Sequence, residues 1–303
     1  MRRILLVALI WLASWPALAQ AQLLLTGAGG GSPAVAGYVG PGDIQTFAHY
    51  WGLRCYNTAY AGDVADVWDT ATGTTTETLL TCSAGGTVNQ TIHTLAVTCA
   101  VSCSVLTLYD QPSSVNMSYE SGVGTLSTAP TLIASCTNSK PCMVFNGNYF
   151  IGTDTTAEET AITLGFTASV FAVGKRTGAF SSYNSLGAGR DGSTYQIGWT
   201  NSANQYFSYD AASVLNVTAA DSTFHVTVAV FTGSASDSLT IDGGTPATGA
   251  TGTSTLSATA YILGSNGGSN LTGDVTEIGL IATTASASLC HNARVYWGSA
   301  GSC

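Results

Sequence analysis

The chain has 303 residues, a formal charge of −9 and a pI near 4.6, and only 8% of its residues are charged. With two lysines, Lys140 and Lys175, and no basic stripe, it repels nucleic acid. Its abundance of Thr, Ser, Gly, Ala and Val suits a β protein and argues against disorder.

At the start, Arg2 and Arg3 precede an apolar run from Ile4 to Trp15 and a small-residue site at Ala17-Leu18-Ala19. This pattern predicts a secretory signal peptide over 1–19, too short to span a bilayer as a helix. Residues 20–40 read as a Gly-rich leader or linker, and 41–303 as a single domain. No later apolar run reaches the length of a membrane span, so the expectation is a secreted protein, extracellular or periplasmic.

Asp43 to Gly62 carries the best helix pattern, with Asp43 as a cap and Phe47, Tyr50 and Trp51 at helical spacing. The eight cysteines all follow the cleavage site, and an even count in an exported chain argues for disulfides. Zinc is disfavoured, because Cys-x2-Cys pairs are absent and His49, His93, His225 and His291 are scattered. Cys99 with Cys103 and Cys136 with Cys142 are close enough for local bridges. Position and elimination then suggest Cys290 with Cys303 and Cys55 with Cys82, two assignments that the sequence leaves open.

From there the pattern has period two. Tyr195, Ile197 and Trp199 share a strand face, as do Val226, Val228 and Val230. Leu239 and Ile241 precede an Asp242-Gly243 turn, and Ile278 pairs with Leu280 on a closing strand. Short alternating strands between Gly, Ser, Asn and Asp turns predict an all-β, antiparallel β-sandwich of jelly-roll type, stapled by disulfides.

The His-Val strand at 225–231, the Asp-Gly hairpin and the closing strand "GDVTEIGLI" together resemble laminin-G/concanavalin A-like jelly rolls. "GPGDIQTFAHYWGLRCYNTAYAGDVADVWD", "CAVSCSVLTLYDQ" and "KPCMVFNGNYF" resemble the catalytic domain of family-54 α-L-arabinofuranosidases and exported bacterial relatives. The resemblance runs in motif order from about Gly40 to Ile281. In that family Tyr-Asp-Gln continues into a glycine-rich turn. Here Pro112, Ser113 and Ser114 follow, so Asp110 and Gln111 are read first as groups that satisfy backbone amides.

The resemblance implies a retaining mechanism, which needs two carboxyl groups about 5–5.5 Å apart. It places Asp210 of "SYDA" where the family has its nucleophilic Glu, one carbon short. The turn that holds the family's acid reads Ser265-Asn266-Gly267 here, and the family's adjacent Cys-Cys pair is missing. These departures imply a degraded catalytic site on an inherited fold. The resulting expectation is a lectin-like, carbohydrate-recognising module, with Trp199, Tyr206, Asp210 and Asn266 as sugar contacts and Asp210 the candidate nucleophile if catalysis survives. Trp199 equally fits the core beside Tyr195 and Ile197. The alternatives are an active arabinofuranosidase-type glycoside hydrolase and a structural surface protein. Asp191 and Asp242 have the oxygens for Ca²⁺, but hairpin turns explain them more simply, so no metal or cofactor is expected. The expected partner is a polysaccharide.

Overall fold

The computed structural model describes residues 37–69, 77–88, 103–118, 129–147, 151–155, 158–159, 162–178, 184–189, 194–200, 202–234, 236–259, 261–264 and 271–298. All the elements belong to one unit, Tyr38–Cys303. A single turn, α1 (Pro41–Ile44), leads into β1 (His49–Gly52), β2 (Asp63–Asp69), β3 (Glu77–Ser83) and β4 (Thr87–Val88). β5 (Cys103–Leu108), β6 (Met117–Ser118), β7 (Thr131–Thr137), β8 (Lys140–Asn146) and β9 (Ile151–Gly152) follow. Next come the short β10 (Asp154–Thr155), β11 (Glu158–Glu159) and β12 (Ile162–Leu164), then β13 (Ala168–Arg176) and β14 (Asn184–Gly189). β15 (Gln196–Trp199), β16 (Gln205–Tyr209), β17 (Val214–Thr218), β18 (His225–Phe231) and β19 (Asp237–Ile241) come next, with β15–β16–β17 and β18–β19 paired as hairpins. The chain closes with β20 (Ala247–Gly249), β21 (Leu256–Thr259), β22 (Tyr261–Leu263), β23 (Thr272–Ile281) and the helix α2 (Ala287–Trp297).

Every pairing among the described residues is antiparallel. One layer runs β20-β19-β18-β13-β23, with β1 and β8 sharing the far edge of β23, and then β7. The other runs β17-β16-β15-β14-β22-β9-β6-β5-β2-β3. The two join where β5 also pairs with β7. Of the residues predicted to alternate into the core, Tyr195, Ile197, Trp199, Leu239, Ile241, Ile278 and Leu280 are all buried. Of their strands, however, only β19 alternates: β15 is buried on both faces and β23 almost throughout. On β18 the fully buried parity is His225, Thr227, Ala229 and Phe231, with Val228 and Val230 half-buried. Asp242 and Gly243 both take positive φ at the centre of a tight turn that Gly244 N closes onto Ile241 O at 3.0 Å.

The helix expected over Asp43 to Gly62 is corrected. Only Pro41–Ile44 is helical, and His49–Gly52 is a strand paired with Glu277–Leu280. Asp43 does stabilise the turn, accepting from Gly40 N at 2.8 Å. Beyond it the pairing with β23 overrides helical spacing, and Tyr50 and Trp51 are buried on opposite faces of a strand. The long helix is α2 instead. Ser286 caps its N-terminus, Gly298 at φ 67° closes its C-terminus, and Leu289, Cys290, Ala293 and Trp297 are its buried face.

Disulfides join Cys55 to Cys82 and Cys136 to Cys142, as expected. Cys103 and Cys290 are also disulfide-bonded, and the expected partners, Cys99 and Cys303, lie outside the described residues. The Cys136–Cys142 hairpin also caps α2, because Thr137 Oγ1 and Asn138 Nδ2 donate to the carbonyls of Trp297 and Tyr296 at 2.8 and 3.0 Å.

Candidate functional site

Cross-strand register decides which side chains share a face. Trp199 pairs with Tyr206 and Ile197 with Ser208 across β15 and β16. That row faces the other layer. Trp199 and Tyr206 form an edge contact at 5.5 Å, Tyr206 meets His225 at 5.3 Å, and the two residues are only 1% and 2% exposed. The predicted sugar contacts Trp199 and Tyr206 are therefore brought together, in the core. Asn266 lies outside the described residues.

Asp210 continues the same row just past β16, and 1% of it is exposed. Its Oδ2 accepts from Ser254 N at 3.0 Å, while Oδ1 is buried with no hydrogen-bond partner among the described residues. Beside it, Thr251 O accepts from Ala212 N and Ser213 N, so the loop at 251–254 lies directly on the end of β16. Asp237 holds the same loop from the other side, accepting from Thr251 N and Oγ1 at 2.8 and 2.7 Å and from Thr232 N and Oγ1 at 2.6 and 2.9 Å. Asp210 is thus a loop anchor in the protein interior.

The two carboxylates are tuned in opposite directions. Burial raises the pKa of Asp210 above the ordinary Asp value, against the pull of the Ser254 and Tyr195 amides. Burial also acts to raise Asp237, but its hydrogen bonds from Thr251 and Thr232 outweigh it and hold the carboxyl low. Charged Asp210 therefore costs stability at neutral pH, a cost that fades as pH falls through its raised pKa. Asp237 contributes stability above the ordinary Asp value, and that contribution is lost as pH falls through its lowered pKa. Asp210→Asn keeps an acceptor for Ser254 and removes the charge, so it is expected to hold or raise the Tm at pH 7. Asp237→Asn is expected to lose about 1–3 kcal/mol, because the amide nitrogen that replaces one oxygen then meets a backbone N–H, of Thr232 or Thr251, with no acceptor for it. Thermal unfolding of both variants between pH 4 and 8 checks this.

The opposite parity of the same strands is buried throughout β14 and β15 and reaches solvent only on β16 and β17. Gln196 pairs with Tyr209, Gly198 with Phe207 and with Ser185, Phe207 with Asn216, and Gln205 with Thr218. Ala188 and Ile262 extend the row onto β14 and β22. Gln196 Nε2 donates to Ser185 Oγ, and both are buried with Phe207, whereas Tyr209 and Gln205 are half-buried and Asn216 and Thr218 are exposed. Where it is open, this face offers the amides of Gln205 and Asn216, the hydroxyl of Thr218 and the ring of Tyr209, and β14–β17 and β22 carry no Asp, Glu, Lys or Arg. Amides donate to and accept from vicinal hydroxyls, and rings stack on the apolar faces of sugars. Sequence reasoning passed over Gln205, Tyr209 and Asn216 because it followed the parity that carries Trp199 and Asp210. The signal was present as the other parity of each strand.

The Tyr-Asp-Gln segment is structural. Asp110 accepts from Tyr50 N at 2.9 Å and bonds His49 Nδ1 at 2.6 Å, and Gln111 bridges Tyr56 N to the carbonyls of Gly52 and Arg54. Asp242 is similarly committed, to His225 Nδ1 and Val226 N, which anchors the Asp-Gly hairpin; Asp191 lies outside the described residues. Cys136, Cys142 and Asp274 converge, but the two sulfurs are bonded to each other and hold no metal as thiolates.

No protein-family model matches the chain. No curated protein matches it. Among solved structures it is similar to an arabinofuranosidase complexed with arabinofuranosyl-α-1,2-xylobiose, with TM-score 0.65 and 14% identity. It is also similar to a family-54 α-L-arabinofuranosidase mutant soaked with 4-nitrophenyl α-L-arabinofuranoside (TM-score 0.60, 13% identity) and to a family-54 enzyme soaked with a cyclic sulfate inhibitor (0.56, 12%). Each match covers 84% of this chain and 64% of the other, so the chain spans less than two thirds of those proteins. At these identities the likeness is one of architecture: the chain folds as a β-sandwich of the kind found in those arabinofuranosidases.

Proposed function

We propose that the protein is an exported carbohydrate-recognising β-sandwich that binds a glycan along the open face of β16 and β17 and does not cleave it. The chemistry of that face carries the reading. Gln205 and Asn216 supply amides, Tyr209 supplies a ring beside them, and no carboxylate stands on these strands to act as nucleophile or acid. Hydrolysis with retention needs two such groups in one cleft, and Asp210 is engaged behind the sheet. The similar enzymes carry arabinofuranosyl ligands, which makes arabinofuranosyl-decorated oligosaccharides the first glycans to try. Arg2, Arg3 and the apolar run after them support export.

The test is incubation of the purified protein with 4-nitrophenyl α-L-arabinofuranoside, beside Asp210→Asn. Neither protein is expected to release nitrophenol above the uncatalysed rate. Release by the wild type that disappears in the variant would make Asp210 a working nucleophile and overturn the reading.

A further inference from the structure

A second polar site lies in the other layer, at the C-terminal end of β13. Lys175, Arg176, Thr177, Gly178, Asp221 and Ser222 line a cleft of about 340 Å³, near the lower end of the range for small-ligand sites. Two of the chain's eight Lys and Arg residues stand side by side here, on a protein whose formal charge is −9.

The groups in this cleft differ in what they have left to give. Lys175 Nζ has three donors; it pairs with Asp274 at 2.9 Å and sits 5.1 Å from the centre of the Phe224 ring. Two of its N–H groups are thus left for a ligand. Arg176 is a wall charge, held by the carbonyls of Gly178, Thr200 and Ser202 and lying 3.5 Å from Asp221 Oδ1. It contributes field more than bonds. Asp221 is fixed by a reciprocal pair with Asn204, at 2.8 and 3.0 Å. Its Oδ1 is buried against Arg176, which leaves Oδ2, bonded only by Asn204 N, as the oxygen of this partly exposed side chain that can accept from a ligand. Thr177 and Ser222 are exposed, and their hydroxyls bond no partner among the described residues.

An ammonium with open donors beside a guanidinium selects an anion. A carboxylate acceptor and two hydroxyls in the same cleft select adjacent hydroxyl groups. We propose that this cleft binds an acidic sugar, with the ligand's carboxylate on Lys175 and its ring hydroxyls on Asp221, Ser222 and Thr177. It is separate from the open face of β16 and β17, so each site can fail without the other.

The probe is sodium D-galacturonate, titrated into the full chain and followed through the amide resonances of Thr177, Gly178, Asp221 and Ser222. D-galactose and sodium acetate serve as controls that lack the carboxylate and the hydroxyls. Galacturonate is expected to bind at least tenfold more tightly than either control. Lys175→Met should weaken it about tenfold, and Tyr209→Ala should leave it unchanged. Lys175→Met also strips Asp274 of its partner, so the exposed double variant Thr177→Val/Ser222→Ala gives an independent reading, with a severalfold loss expected. Equal affinity for galactose or acetate, no response at these amides, or full affinity in the double variant would overturn the proposal.

Discussion

Glu277→Ala is expected to destabilise the protein by about 3–5 kcal/mol, the usual cost of leaving one half of a buried ion pair behind. Arg54 and Glu277 are both wholly buried. Arg54 Nε and the Nη2 nitrogen donate to the two carboxylate oxygens at 2.6 and 2.9 Å. Tyr50 OH and Trp297 Nε1 complete the carboxylate, and Arg54 continues to Asn292 Oδ1 at 2.8 Å. The node therefore ties β1, β23 and α2 together. Burial works to lower the Arg54 pKa, but the Glu277 charge outweighs it and the guanidinium stays charged. Without Glu277 that charge has no carboxylate, and Trp297 loses its acceptor. The double variant Arg54→Met/Glu277→Leu removes both charges and should cost clearly less than Glu277→Ala alone. Urea unfolding of the two variants reads the difference, and a double variant as unstable as the single would show that packing of α2, rather than charge, sets the cost.

The second large effect concerns ligand binding. Tyr209→Ala and Asn216→Ala are each expected to weaken glycan affinity about tenfold or more, equivalent to ~1.4 kcal/mol, with little change in Tm. Tyr209 is half-buried beside Gln196, and Asn216 is exposed on the strand opposite Phe207, so neither truncation opens the core. Trp199→Phe should behave in the reverse way. Its indole N–H bonds nothing among the described residues and its ring packs on Tyr206, so stability falls through lost packing while affinity holds. Calorimetric titration of the three variants separates the outer face from the core row.

Much of the fold was legible from periodicity. Leu239-Ile241 alternate cleanly because β19 has one face on the core, Tyr195-Ile197-Trp199 mark the core side of a strand buried on both faces, and Asp242-Gly243 marks its turn by the backbone it needs. His49–Gly52 was not legible, because Tyr50 and Trp51 are apolar neighbours buried on both faces, a pattern shared by strands and helices. The helix α2 had readable signals in Ser286, Leu289, Ala293 and Gly298, but its face is short and mixed with Arg294 and Asn292. For the site, the sequence pointed to the parity of Trp199, Tyr206 and Asp210, which the structure buries. Which parity is buried depends on which partners β15 and β16 find across the sheet, and a one-residue shift moves Asp210 from surface to interior. Asp110 and Gln111 were readable as amide-satisfying groups, since a polar pair at a strand end has nearby backbone to serve.

The central claim is that this sandwich binds a glycan on the open face of β16 and β17 without cutting it. The most direct measurement is a single NMR titration of the labelled protein with arabinofuranosyl-xylooligosaccharide, following protein amides and sugar anomeric signals together. Perturbation centred on Gln205, Tyr209 and Asn216, with the oligosaccharide intact after a day, is the predicted result. Free arabinose appearing in the tube, or a protein spectrum in which those three residues stay unmoved at saturation, would contradict it.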